Sequence, residues 1–161
     1  MAEDTPFVRG AARLSRRIAT IRENLALPKL TQEIGALLLR RTLQRFDRQV
    51  TPDNVPWPDL KEATTAAKRR LGYGKGAILV RTGDLRNSIK LIRGGEGATY
   101  TTTGAGVRIG IADSEIAEYG KAHNLGLGGM PVRRFLGVGR LDIKAIDSLM
   151  RRKAKKLEAI V

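Results

Sequence analysis

The chain has 161 residues, 42% hydrophobic but only 4% aromatic, which suits one domain with a core of Leu, Ile, Val and Ala. Lys and Arg number 30 against 16 acids, a net charge of +14 that favours nucleic acid, an acidic protein surface or an anionic membrane as a partner and leaves the fold open. With no cysteine in the chain, disulfides, thiolate catalysis and Cys-based zinc sites are excluded.

The start, MAEDTPFVRGAARLSRR, places acids before arginines and has no long apolar run, so it does not read as a secretory signal. No stretch approaches the roughly 20 apolar residues of a membrane span. The expectation is a soluble protein made in the cytoplasm, with no membrane partner. Leu14, Ile18, Ile21 and Leu25 recur at spacings of four and three and predict a helix over 11–26, with Arg13, Arg16, Arg17 and Arg22 on its other faces. Pro28 ends or bends that run. A second helix is predicted over 30–49, with Thr31 as its cap and Ile34, Leu37, Leu38 and Phe46 as its buried stripe.

VTPDNVPWP, residues 50–58, holds three prolines and predicts an extended, turning segment. Asp59 is placed to cap a short helix reaching Arg70, and GYGKGA then reads as a flexible loop. In LVRTGDLRNSIKLI, Thr82 is a cap candidate, Asp84 suits the positive end of a short helix, and a strand runs into Ile92. GGEG is a turn. ATYTTT and GVRIGIA read as strands, with Val107, Ile109 and Ile111 alternating. SEIAEYGKAHN is a short helix from Ser114, RRFLGV a last strand, and Leu141–Leu157 a final helix with Leu141, Ala145, Leu149 and Met150 inward and a basic end. The sum is an α+β domain: a small, mainly antiparallel sheet flanked by helices, with long N-terminal and C-terminal helices and extended loops. Residues 1–29 form a basic helical arm, and residues 30–161 form the single α+β domain.

Each reactive residue type has a plainer role. His123 is the sole histidine, and no His or Glu stands at metal-ligand spacing from it, so a hydrogen-bonding place at a helix end is preferred over catalysis. GYGKG lacks the spacing, and the Ser or Thr after Lys75, that a phosphate-binding loop needs. Asp53, Asp59 and Glu62 are close enough in sequence to suggest a metal-dependent nuclease, yet turn formation and capping account for Asp53 and Asp59. Asp113, Glu115 and Glu118 fit a helix start, and Ser88 and Ser114 have no base nearby. The reading is of a non-enzyme with no cofactor and no metal. Basic residues cluster at 9–22, 40–48, 68–70 and 151–156. No groove-reading motif accompanies them, and aromatics for base stacking are scarce, so weak, salt-sensitive phosphate attraction is expected. Arg13, Arg16, Arg17, Arg134, Arg151 and Arg152 are the candidate contacts for DNA or an acidic partner.

FDRQVTPDNVPWPDLKEATTAAK, LVRTGDLRNSI, YGKAHNLG and MPVRRFLGVG follow one another in an order that resembles the phage virion morphogenesis family, the tail-completion type of protein in Mu-like and related tailed phages. The matching positions are Phe46, Pro52, Asp53, Trp57, Thr64 and Lys68, then Thr82, Gly83, Leu85 and Ser88. They continue with Tyr119, His123 and Gly126, where Gly120 replaces the usual Ala and Asn124 the usual Gln, and close with Pro131, Arg133, Phe135, Leu136 and Gly137. The resemblance covers residues 30–155 and reaches the arm least. It implies a structural protein of the virion head–tail junction, made in a bacterial host, which finishes the tail end or stabilises its joining to the head. It further implies a homo-oligomeric ring, a hexamer being favoured, against neighbouring neck, connector or tail-tube proteins, with non-specific contact to passing DNA. The alternative is a basic nucleic-acid-binding module with a packaging or regulatory role. Trp57, on a proline-stiffened loop, fits an interface anchor and a core residue equally. In MPVRRFLGVG a strand would send Arg133 and Arg134 to opposite sides, with Phe135 and Leu136 as anchors, one arginine in a structural or inter-subunit ion pair, and Pro131 and Gly137 shaping the turns.

Overall fold

The computed structural model describes residues 27–73, 77–92, 100–104 and 107–159. The predicted arm helix over 11–26, with Arg13, Arg16 and Arg17, and the GGEG turn lie outside these residues, as does the middle of GYGKGA.

Helix α1 spans Leu27–Arg48. It begins before the expected Thr31, because Pro28 sits in the first turn, where its missing N–H removes no helical hydrogen bond. Its inward stripe is Ile34, Gly35, Leu38, Thr42, Arg45 and Phe46. A Cβ on Gly35 would come within 2.7 Å of Leu91 Cδ1, so the bare glycine lets α1 lie close to the sheet. That sheet has three antiparallel strands: β1 (Ile89–Ile92), β2 (Tyr100–Gly104) and β3 (Val107–Ile111), in the order β1-β3-β2. Ile89 pairs with Ile111 and Leu91 with Ile109 on one side, Tyr100 with Ile111 on the other. Val107, Ile109 and Ile111 are buried, as their alternation predicts.

Helix α2 (Glu62–Arg70) starts three residues after Asp59, which therefore does not cap it. The carbonyls of Pro58 and Asp59 accept from Arg133 instead, which holds this stretch extended. Helix α3 (Asp84–Ser88) has Gly83 at its N-cap with φ 97°, and the Thr82 hydroxyl bonds the Asp84 carboxylate rather than a free helix amide. Helix α4 (Ser114–Leu125) is capped by Asp113, whose Oδ1 accepts from Ile116 N at 2.9 Å, and it ends at Gly126 with φ 73°. A single 3₁₀ turn, Leu127–Gly129, follows. Helix α5 (Arg140–Glu158) turns Asp142, Ala145, Ile146 and Leu149 inward. Leu141 and Met150, expected inward, are exposed, because the pinning of Asp142 described below fixes the helix's rotation.

Helix α1 packs across β1 and β3, and α4 against β2 and β3. At Gly120 an added Cβ would meet Ile111 Cδ1 at 2.9 Å and Leu85 Cδ1 at 3.0 Å, so the bare glycine brings α4 close to β3 and α3. Ile34, Leu38, Phe46, Trp57, Leu85, Ile109, Ile111, Phe135 and Leu136 belong to one continuous core. The expected strand RRFLGV is absent. Residues 131–139 run without regular structure through the interior, because their polar backbone groups are taken by side chains rather than by a neighbouring strand.

Candidate functional site

Residues 131–139 are gripped from every side. Asn124, at the end of α4, accepts from both Phe135 N and Leu136 N at 2.8 Å through one oxygen. Arg45 Nη1 donates to Phe135 O at 2.7 Å and Gly137 O at 3.0 Å. Trp57 Nε1 donates to Arg134 O at 3.0 Å, and Arg133 N to His123 O at 2.9 Å. The Arg133 side chain returns the grip, its Nε and Nη2 reaching Pro58 O and Asp59 O at 2.9 and 2.8 Å. The Phe46 ring lies 5.5 Å from Trp57, edge to face, and 5.3 Å from Phe135. Trp57 is thus a core residue, 3% exposed, and not an interface anchor. Its indole edge needs a buried carbonyl, and Arg134 supplies one.

Asp142 anchors the far end of this clasp. It is fully buried and pairs with Arg45 through Oδ2 and with Arg41 Nε through Oδ1 at 2.6 Å. Asp142 Oδ2 also accepts from Gly139 N at 2.8 Å, so the third residue of α5 reaches back to its N-cap amide. Burial pushes the Arg45 guanidinium below its ordinary value and Asp142 opposes this; an arginine stays charged regardless.

Beside the clasp lies a cleft of about 430 Å³ between α2, the turn at 77–83 and α4. Leu60, Leu79, Val80, Leu85 and Tyr119 give it apolar walls, Lys68, Arg81, Arg133 and His123 give it nitrogen, and Asp84 gives it one carboxylate. Lys68 Nζ donates to Ala77 O and Val80 O, both at 2.7 Å, while Gln49 Oε1 accepts from Ile78 N at 2.9 Å. These bonds hold Leu79 at φ 61°, a backbone region that a bulky side chain avoids. Burial lowers the Lys68 and Arg133 values, the latter against Asp59, and it raises the Tyr119 phenol, which Asp84 pushes the same way. Burial, with Arg133 nearby, lowers His123 too. The His123 ring meets Tyr119 edge to face at 6.2 Å, and its Nδ1 is buried with no hydrogen-bond partner among the described residues.

The segments that carry the resemblance therefore meet in space, and a comparison across the whole chain agrees with them. The model of the phage virion morphogenesis family matches residues 4–155. The chain belongs to that family. It is also similar to Mu-like prophage FluMu G protein 1 of Haemophilus influenzae (strain Rd), 28% identical over 129 residues that cover 80% of each chain. No solved structure matches it. The match reaches back into the N-terminal arm, beyond the 30–155 of the motif-based resemblance. The role of the chain lies in phage virion assembly, and no helix among the described residues is long and apolar enough to cross a membrane.

The family positions fall into two sets. Phe46, Pro52, Trp57, Leu85, Phe135 and Leu136 are buried and belong to the clasp or its core. Thr64, Lys68, Thr82, Gly83, Leu85, Tyr119, His123 and Arg133 line the cleft, Leu85 serving both. Gly126 and Gly137 hold φ of 73° and 137° at the two bends that lead the chain into and out of the 131–136 run, which begins at the half-buried Pro131. Arg133 and Arg134 do diverge, though no strand is involved. Arg133 is buried on carbonyls, and the half-exposed Arg134 makes the expected ion pair, 4.0 Å from Asp53. Arg151 pairs with Asp147 on the exposed face of α5, and Arg152 is exposed beside it. Asp53 Oδ1 accepts from Arg140 N at 3.1 Å, and no group of three or more His, Asp or Glu among the described residues is placed to hold a metal ion. Sequence reasoning missed Arg45 and Asp142. Arg45 stands on the apolar stripe of α1, seven residues after Leu38, and Asp142 stands at the third position of a helix after glycine; both were readable as signals of a buried pair.

Proposed function

We propose that this protein is a non-enzymatic part of the virion head–tail junction, which completes the tail end or stabilises its joining to the head as a homo-oligomeric ring. The observation that carries the reading is the family match over residues 4–155, whose motif residues knit four separate segments into one unit. A ring part must keep its shape under load, and buried, fully used backbone groups supply that. A ring also needs heterologous contacts that close. The exposed Leu125, Leu127 and Val132 near the end of α4, and Leu141, Ile143 and Met150 on α5, are apolar surfaces of the kind such contacts use. The cationic end of α5 suits an acidic partner ring or the backbone of passing DNA.

Electron microscopy of a lysate from a phage deleted for this gene tests the proposal. Filled heads and separate tails, converted to infectious particles by added protein, are the expected result. Normal particles from the deletion would remove the assembly role and bring forward the nucleic-acid-binding alternative.

A further inference from the structure

We propose that the cleft beside the clasp takes the acidic N-terminal tip of a second copy of the chain, residues 3–7, Glu-Asp-Thr-Pro-Phe. The inference rests on the ring reading. Apolar walls from Leu60, Leu79 and Leu85 stand next to Lys68, Arg81 and Arg133, so a fitting ligand presents an apolar group together with negative charge. Lys68 and Arg133 donate to backbone carbonyls, and Arg81 lies over the Tyr73 ring at 5.5 Å; none of the three has an ion-pair partner among the described residues. Asp84 also lines the cleft and Asp59 acts on Arg133 from beside it, but three cations outnumber these carboxylates and leave the cleft net positive. The cleft is also firmly built, since Lys68 and Gln49 fix the strained turn at Leu79 that forms one wall.

Within this strongly basic chain, Glu3 and Asp4 are the only two adjacent acids, and Pro6 and Phe7 follow them. That segment has the complementary chemistry: two carboxylates for the cations, then a stiffened aromatic for the apolar walls. Residues 8–26 separate it from α1 and span about 28 Å if helical, more if extended. The cleft is tied by Gln49 to the far end of α1, one helix length from Leu27. Return along the same chain would lay Arg13, Arg16 and Arg17 over the exposed face of α1, where Lys29, Arg40 and Arg48 outnumber Asp47, because β1, β3 and α5 already cover its other sides. Like charges oppose that path, whereas a neighbouring copy receives the tip without it.

Because the full chain has no cysteine, single Thr5→Cys and Thr64→Cys variants, mixed and oxidised, give a clean test; Thr64 is exposed at the cleft. Thr5→Cys mixed with Ser148→Cys, exposed on α5, is the control. The expected result is at least tenfold more mixed disulfide dimer than the control. That excess should be lost when Glu3→Lys and Asp4→Lys are added to the first variant, and partly regained with Arg81→Glu in the second. Cross-linking no better than control, from protein that sedimentation shows to be oligomeric, would overturn the cleft assignment and leave the ring standing. A purely intramolecular bond in the Thr5→Cys/Thr64→Cys double variant would overturn the second copy as occupant. A chain that stays monomeric and unlinked would overturn both.

Discussion

Arg45 is a cation on an apolar helical stripe, and three acceptors keep it there: Phe135 O, Gly137 O and the Asp142 carboxylate, which Arg41 shares. Removing one partner of such a pair leaves the other buried and uncompensated. Arg45→Ala is expected to cost about 3–5 kcal/mol, read as a lower midpoint in urea unfolding. Arg45→Met with Asp142→Leu should recover most of that loss, because both buried charges are then gone and Arg41, which is partly exposed, can turn to water; a double variant as weak as the single one would show that the carbonyl bonds dominate. His123 gives a pH dependence. Its folded value lies below the ordinary one, so between roughly pH 6.5 and that lower value the unfolded chain binds more protons than the folded chain. The stability tied to neutral His123 is complete above that window and is lost as the pH falls through it. Wild-type Tm should therefore fall more steeply than that of His123→Gln from pH 7 to 5; parallel curves would rule the effect out.

Between elements, one close approach is backbone to backbone. A Cβ on Gly139 would run into the Pro52 carbonyl, so the proline-rich loop and the start of α5 close on each other only with glycine there. Asp53 then accepts from Arg140 N across the same junction, and Lys153 reaches Glu33 at 2.5 Å to hold α5 along α1. Gly139→Ala is expected to cost at least about 2 kcal/mol and to increase amide exchange at residues 52–57, since the loop must move away. Lys153→Ala breaks a half-buried but still solvent-screened pair and should cost about 1 kcal/mol or less. The predicted strand at RRFLGV illustrates the same level. Its residues have strand composition, but no strand lies beside them, and Asn124, Arg45 and Trp57 take their hydrogen bonds instead.

Across the molecule the charge of +14 is unevenly placed, with Arg151, Arg152, Lys155 and Lys156 exposed on the last turns of α5. Any duplex binding should be non-specific and salt-steep, and Arg151→Ala with Arg152→Ala should lower the slope of log K against log salt by about 2. A slope unchanged by that pair would place the DNA contact elsewhere.

Hydrophobic period alone determined that α1 and α5 are helices and that 107–111 is a strand, because periods of 3.6 and 2 mark the element type whatever the partner. The order of motifs, likewise, was enough to indicate the family. Tertiary structure alone decided that Trp57 belongs to the core, that Arg133 grips carbonyls, that α5 is rotated about Asp142, and that Lys68, Tyr119 and His123 share one cleft. Those outcomes depend on groups about 50 to 100 residues apart in sequence coming together. A local pattern reports which positions are buried and does not report what a buried polar group will meet.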